Sequence, residues 1–357
     1  MSSLYIDRKG VELKLSGEVL ICYENEERIG TIPLVSVDRI YLKGDVKLQA
    51  SLLAKLGKRG IGIIFLSGRK NIPSLFLAQP HNDAHRRVMQ YELSHNEPFC
   101  LAFSKKIIQL KLETQKNWLS QALNVREDKQ SLLESKVKEL NELITKINQQ
   151  TNLASLRGVE GRAASVYFMA LSQYLPKSLD FNGRNRRPPR DPFNAVLSLS
   201  YTLLHSEAVL ASYGAGLDPY IGFYHSLDFS RESFACDLVE PIRPLVDNWL
   251  IGLFRSKELR IEYFSTTQSG CMLGKTGRIN FYKAYEEQAE QWRKILTENC
   301  HDIIQVLKEV ELPNLPQRKE SIEPSSPQQL TELQWQELLE HYYFNQHTMM
   351  QNIEFSF

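Results

Sequence analysis

VELKLSGEVLICYENEERIGTIPLVSVDRIYLKG, residues 11–44, decides the fold of the N-terminal part. Apolar and polar residues alternate in it, as in Val11-Glu12-Leu13-Lys14-Leu15, the period-2 pattern of half-buried strands. Gly10, Gly17, Gly30 and Gly44 punctuate it as turns. Outward from this stretch, LYID (4–7) reads as a further strand. QASLLAKLGKRG (49–60) reads as a short helix with Leu52, Leu53 and Leu56 on one face and Gly57 or Gly60 as its stop. IGIIFLS (61–67) is apolar throughout and predicts a central strand.

After Gln79-Pro80 the pattern turns helical. A linker helix is expected at 84–98. Two amphipathic helices are expected across the proline-free stretch 102–150, joined near Asn124–Asp128. Further helices are expected at 156–173, 192–212, 231–256 and 279–310. The stretch 313–329 has the Pro, Ser and Gln content of a linker, and 331–345 predicts a terminal helix. The expected class is α+β: an N-terminal β-rich domain (1–82), a larger all-α domain (83–310), and an acidic linker with a terminal helix (311–357).

Composition narrows the function classes. With 357 residues, 42% hydrophobic and 24% charged, the chain is neither disordered nor fibrous. Cys22, Cys100, Cys236, Cys271 and Cys300 are odd in number and lack C-x-x-C spacing, which speaks against a disulfide framework or zinc knuckle. Asp7, Arg8 and Lys9 interrupt the region where a signal peptide would be apolar, and no apolar run approaches the roughly 20 residues of a membrane helix. The expectation is a cytoplasmic protein. Its formal charge of +1 is a cancellation: residues 311–357 carry −5 and the remainder +6.

Four blocks can carry chemistry. In LRGVEGRAASVYFMAL (156–171), Glu160 is either a site acid or a carboxylate favoured by a helix N-terminus. In FNGRNRRPPRDPFNAVLSLSYTLL (181–204), Arg184, Arg186, Arg187 and Arg190 precede a helix that Asp191 can cap and Pro192 can open. That loop is either a phosphate contact or a solvated basic loop. In the third block, 216–247, His225 with Asp237 and Glu240 is a plausible set for a divalent ion. The same residues also read as a core histidine and an Asp237–Glu240–Arg243 ion-pair chain. HNDAH (81–85) lacks the glutamate of a zinc helix and reads as linker. Dinucleotide, phosphate-loop and Ser-hydrolase motifs are absent.

In order, these blocks resemble the CRISPR-associated adaptation integrases, the "Cas-one" endonucleases. The resemblance lies in Gly158-Val-Glu160-Gly161, Asp191-Pro-Phe-Asn194-Ala-Val-Leu-Ser198, Gly216-Leu-Asp-Pro219 leading to His225, and Asp237-Leu-Val-Glu240-Pro-Ile-Arg243-Pro-Leu-Val-Asp247. IPLVSVDRIYLKG (32–44) is similar to the family's strand-domain signature, and the resemblance spans roughly residues 4–290. It implies an N-terminal β domain that dimerises and a helical catalytic, DNA-binding domain. It also implies a site in which Glu160, His225 and Glu240 bind Mg²⁺ or Mn²⁺, with Asp237 as a further ligand or a neighbour of the ligands. Tyr167, Asn194 and Arg243 would support the site, and Arg86, Arg87, Arg184, Arg186, Arg187 and Arg190 would hold DNA backbone. The implied activity is a metal-dependent DNA endonuclease and integrase that inserts captured segments into a CRISPR array. The 3′-hydroxyl of a short duplex would attack a phosphodiester at the repeat boundary. The implied partners are a second copy of the chain and a small ferredoxin-like protein, "Cas-two". The alternatives are a non-catalytic DNA-binding scaffold of the same fold and a metal-dependent phosphoesterase on small substrates.

Overall fold

The computed structural model describes residues 2–67, 72–78, 83–125, 127–185, 188–225, 228, 230–309 and 330–342. The N-terminal part forms two four-stranded sheets. In the first, β1 (Ser2–Asp7), β5 (Val37–Lys43) and β7 (Gly62–Ser67) run parallel, and β8 (Ile72–Phe76) closes the edge antiparallel, in the order β1-β5-β7-β8. The second has the order β4-β3-β2-β6, from β2 (Val11–Ser16), β3 (Val19–Glu24), β4 (Glu27–Pro33) and β6 (Lys47–Leu48). The alternation in the sequence sets the register: Leu13 pairs with Cys22 and Leu15 with Leu20. Val11, Leu13, Leu20 and Cys22 face a core shared with Ile6, Ile40, Leu42, Ile63 and helix α1 (Ala50–Lys58).

The first sheet is covered on both faces, which is why β7 carries no alternation. Ile40, Leu42 and Ile63 enter the N-terminal core, while Tyr41, Ile64 and Leu66 enter the helical one. The helical part comprises α2 (Ala84–Ser94), α3 (Glu97–Leu123), α4 (Gln130–Ile147), α5 (Leu153–Tyr174), α6 (Pro192–Gly214), α7 (Ser233–Val239), α8 (Arg243–Arg255), α9 (Lys275–Glu309) and α10 (Glu332–Tyr342). The chain is thus β-rich first and mostly helical after, as its sequence predicts. Among the described residues, no helix is long and apolar enough to cross a membrane. All five cysteines are free thiols.

Four differences from the sequence reading have physical causes. The helix expected at 84–98 breaks at His95, because the Asn96 side chain caps a new helix by accepting from the Phe99 N–H at 2.9 Å. Helix α3 is not amphipathic. It is enclosed by α2, α4, α5, α8 and α10 and buries Lys105, Lys111, Thr114 and Gln115 among its apolar residues. The single helix expected at 231–256 breaks at Glu240, because Pro241 cannot donate a helical hydrogen bond. Finally, a hairpin of β9 (Phe264–Thr267) and β10 (Gly270–Leu273) fills a stretch with no predicted element. The Cys271 N–H donates to the Pro189 carbonyl at 2.7 Å, and a Cβ at Gly270 would lie 2.7 Å from Pro188 and Pro189. Only glycine, here at φ +112°, lets the hairpin clasp that loop.

Buried charge fastens the first sheet to the helices. Glu207 of α6, 2% exposed, pairs with Arg39 of β5 and with Arg293 of α9 at 2.9 Å, and accepts from the Tyr41 hydroxyl. Glu286 accepts from the Ser3 N–H (2.8 Å), the Tyr5 hydroxyl (3.0 Å) and both terminal nitrogens of Arg293 (2.9 Å). Burial raises the Glu286 pKa, but Arg293, Ser3 and Tyr5 outweigh that and lower it from 4.5 to about 2. A depressed carboxylate stabilises the fold above its ordinary pKa, and the contribution fades as pH falls toward the depressed value. Allowing for partial exposure, Glu286→Gln is expected to cost about 2 kcal/mol at neutral pH. The gap to the parent chain should narrow as pH drops below about 4.5. Urea denaturation across that range checks both, and a pH-independent gap would contradict the linkage.

Candidate active site

Five segments converge on a cleft of about 390 Å³ lined by Lys111, Glu160, His225, Glu240 and Arg243, among others. Asn152 caps α5 by accepting from the Ser155 N–H, which places Glu160 two turns inside the helix. The reading of Glu160 as a carboxylate held by the helix N-terminus therefore fails, and its side chain faces the cleft. Gly158 and Gly161 flank it on an exposed surface, and a Cβ at either would meet nothing within 4 Å.

His225 is held by Asp237. The Asp237 carboxylate is fully buried and accepts four hydrogen bonds. Three come from the backbone N–H groups of Phe223 (2.7 Å), Tyr224 (3.0 Å) and His225 (3.0 Å), and the fourth links Oδ1 to His225 Nδ1 at 2.6 Å. With Nδ1 engaged by Asp237, Nε2 is turned toward Glu240, whose Oε1 lies 3.9 Å away. A Cβ at Gly222 would lie 2.9 Å from Asp237 Oδ2, so glycine allows the loop to wrap around this carboxylate.

Glu240 sits where α7 breaks, 4% exposed. Burial pushes its pKa up, but Arg243, at 3.1 Å, together with Lys111 outweighs that and holds it at about 2. Lys111 Nζ donates to Glu160 Oε1 at 2.5 Å and to Glu240 Oε2 at 2.7 Å. Burial favours its neutral form, yet the two carboxylates raise its pKa, so the ammonium persists. Beside it, the Arg243 guanidinium lies over the Tyr201 ring at 5.0 Å. Tyr201 donates to Asp247 at 2.5 Å, and Tyr167 packs alongside. Burial still raises Asp247 to about 6.

Residues 4–287 match the family model described as CRISPR associated protein Cas1. The chain belongs to the Cas1 family. A relative from Thermodesulfovibrio yellowstonii, named CRISPR-associated endonuclease Cas1 1, is 39% identical over 298 residues, covering 83% of this chain and 93% of its own. A chain of a Cas6-RT-Cas1–Cas2 complex shares the fold at TM-score 0.74 and 22% identity, over 86% of this chain and 35% of that one. A casposase bound to integration product shares it at TM-score 0.73 and 22% identity, over 90% and 96%.

Of the residues that the Cas1 resemblance singled out, Glu160, His225, Glu240 and Arg243 line the cleft, while Asp237 stands behind His225 with both oxygens engaged. Tyr167 is fully buried behind the cleft. Asn194 is buried elsewhere, donating to Asp191 (2.7 Å) and to the Gly183 carbonyl and accepting from Arg184 (2.8 Å), which shapes the loop before α6. Arg184 is thereby drawn inward, also donating to Ser198. Arg86 donates to the Ala215 carbonyl, and Arg87 is part-buried on the same helix. Arg190 is exposed, and Arg186 and Arg187 lie outside the described residues. Among the described residues, the cations lining the cleft are Lys111, Arg157, Arg231 and Arg243, of which the sequence reading anticipated Arg243 alone. Lys111 had a usable signal: it is a lone cation amid Ile107, Ile108, Leu110 and Leu112.

Among the described residues, no three carboxylate, imidazole or thiol groups already stand close enough to chelate an ion. The donor types nevertheless fit a hard or borderline divalent cation, and a cation, the Lys111 ammonium, already bridges two of them. Removing one partner of a buried ion cluster strands the others, at about 3–5 kcal/mol. Lys111→Met is expected to lose stability of that order in chelator-treated protein, measured by urea unfolding. A loss below about 1 kcal/mol would show that Lys111 does not neutralise the pair.

Proposed function

We propose that the chain is a metal-dependent DNA endonuclease and integrase that inserts captured DNA segments into a CRISPR array. The observation that carries this reading is the convergence of Glu160, His225 and Glu240 around one cation-bridged position in an open cleft. Membership in a family whose relatives are named endonucleases supports it, and so does a fold shared with a casposase bound to integration product.

Glu160, Glu240 and the Nε2 of His225 would hold Mg²⁺ or Mn²⁺. The bound ion would polarise the attacking oxygen and neutralise charge on the phosphoryl group. In the joining step, a 3′-hydroxyl oxygen bonds to phosphorus at the repeat boundary. The bond to the bridging oxygen of the cut strand breaks, and that oxygen departs with a proton. The protein's contributions are positional and electrostatic. Asp237 fixes the tautomer and direction of His225. Arg243 and Lys111 offset Glu160 and Glu240, while Arg157 and Arg231 add positive charge at the cleft, so a polyanion is not repelled. The bare helix surface at Gly158 and Gly161 leaves room for a duplex beside Glu160.

The strand region, 1–82, is proposed as the homodimer surface, where Ile29 and Val35 are exposed at and beside the edge strand β4. The region 83–310 is the proposed catalytic unit. A small ferredoxin-like Cas2 partner would bridge two dimers, a proposal supported by the fold shared with the Cas6-RT-Cas1–Cas2 chain.

The test combines purified protein, the small partner, Mn²⁺, a 3′-hydroxyl duplex and a supercoiled plasmid bearing a CRISPR repeat. The parent chain should nick and join, Glu160→Ala should abolish both, and Asp237→Asn should slow joining about 10–100-fold. An inactive parent would overturn the integrase reading, and equal activity in Glu160→Ala would overturn the site assignment.

A further inference from the structure

The family match ends at residue 287, yet the chain continues into α10, well beyond it. This helix is docked. Trp335 and Leu339 are 2% and 1% exposed, and the helix packs mainly on α3 and secondarily on α9. Ion pairs pin both ends: Glu332 takes the Lys105 ammonium at 2.6 Å, and Glu340 takes that of Lys106 at 3.0 Å. The opposite side is solvated, with Leu333 64% exposed.

An aromatic chain leads from α10 to the cleft. The Trp335 ring meets Phe99 edge-on, with centroids 5.0 Å apart. Phe99 meets Phe223 at 4.9 Å and 87°, and Phe103 and Phe234 close further sides of Phe223 at 5.1 and 5.7 Å. Phe223 lies two residues before His225, and its backbone N–H is the first of the three that Asp237 accepts. Edge-to-face ring pairs are directional, and a close-packed interior passes displacement on rather than absorbing it. Without α10, Phe99 would lose its outer cover, and the ring that seats Phe223 would be free to shift.

We propose that α10 braces the His225 loop, with Trp335 as a positioning residue acting through Phe99 and Phe223. The consequence for DNA joining rests on the function proposed above; the consequence for loop order does not.

The experiment measures amide hydrogen exchange of the loop ending at His225, in the full chain, for the parent and for Trp335→Ala, Trp335→Phe and Leu333→Ala. Joining rate and DNA affinity are measured on the same proteins. Trp335→Ala should speed exchange of the Phe223, Tyr224 and His225 amides by about tenfold or more while the β2–β3 hairpin stays protected. Joining should slow at least about tenfold with DNA affinity unchanged. Trp335→Phe should restore most of both, and Leu333→Ala should alter neither. If Trp335→Ala loosens the whole chain, Leu339→Ala, a smaller truncation on the same buried face, is read instead under the same criteria. Unchanged loop exchange in the interpretable variant overturns the brace, as does joining lost only through DNA affinity. A parent chain that fails to join DNA, with the loop exchange as expected, overturns the integrase reading and leaves the brace standing.

Discussion

One ammonium group organises the centre of this molecule. Lys111 Nζ stands between the carboxylates of Glu160 and Glu240, which come from different helices and would otherwise repel one another in a partly dry cleft. The pair needs a cation, and α3 supplies one from a position enclosed on nearly every side. A buried lysine is costly unless it is paired, and buried carboxylates are costly unless neutralised. The three groups therefore stabilise one another, and with Arg243 they bring the cleft close to electrical balance. In the proposed function a divalent ion would take over the same neutralising task that Lys111 performs here.

The histidine is fixed by a different device. Asp237 spends both oxygens on three consecutive backbone N–H groups and the imidazole, and Gly222 gives the loop room to close around it. The break at Pro241 does comparable work for Glu240, placing it at a joint rather than on a continuous helix face. The site is therefore assembled from a helix interior, a loop and a helix break. Helix α3 packs against α5, α8 and the turn at Glu240 and so ties these parts together.

Much of this was legible in the sequence, and the exceptions share causes. Most strands from Ser2 to Ser67 announced themselves through alternating or unbroken apolar residues with glycines at the turns, the two-residue β6 excepted. Strand β8 did not, since it is a short edge strand with Pro73 in it. Glu160, His225 and Glu240 were singled out by the resemblance of their blocks to the family, and the fold brings all three to one cleft. Lys111 was missed because its signal, one cation among Ile107, Ile108, Leu110 and Leu112, lies in a stretch that also carries Lys105, Lys106, Glu113 and Lys116 and so looks like a solvated face. Arg184 shows a related effect: it belongs to a basic loop that looks free for phosphate, and the fold gives it Asn194 and Ser198 as partners and places it over the Tyr201 ring of the cleft. Sequence patterns report which residue types are present, whereas burial of a charge depends on what the rest of the chain brings to it.

The central claim is that these carboxylates and this imidazole form one cation-binding centre. Calorimetric titration of the chelator-treated chain with Mn²⁺ tests it most directly. The account predicts a single ion per chain, with affinity lowered about tenfold or more by either Glu160→Gln or Glu240→Gln. Absence of binding in the parent, or equal binding in all three proteins, would contradict it.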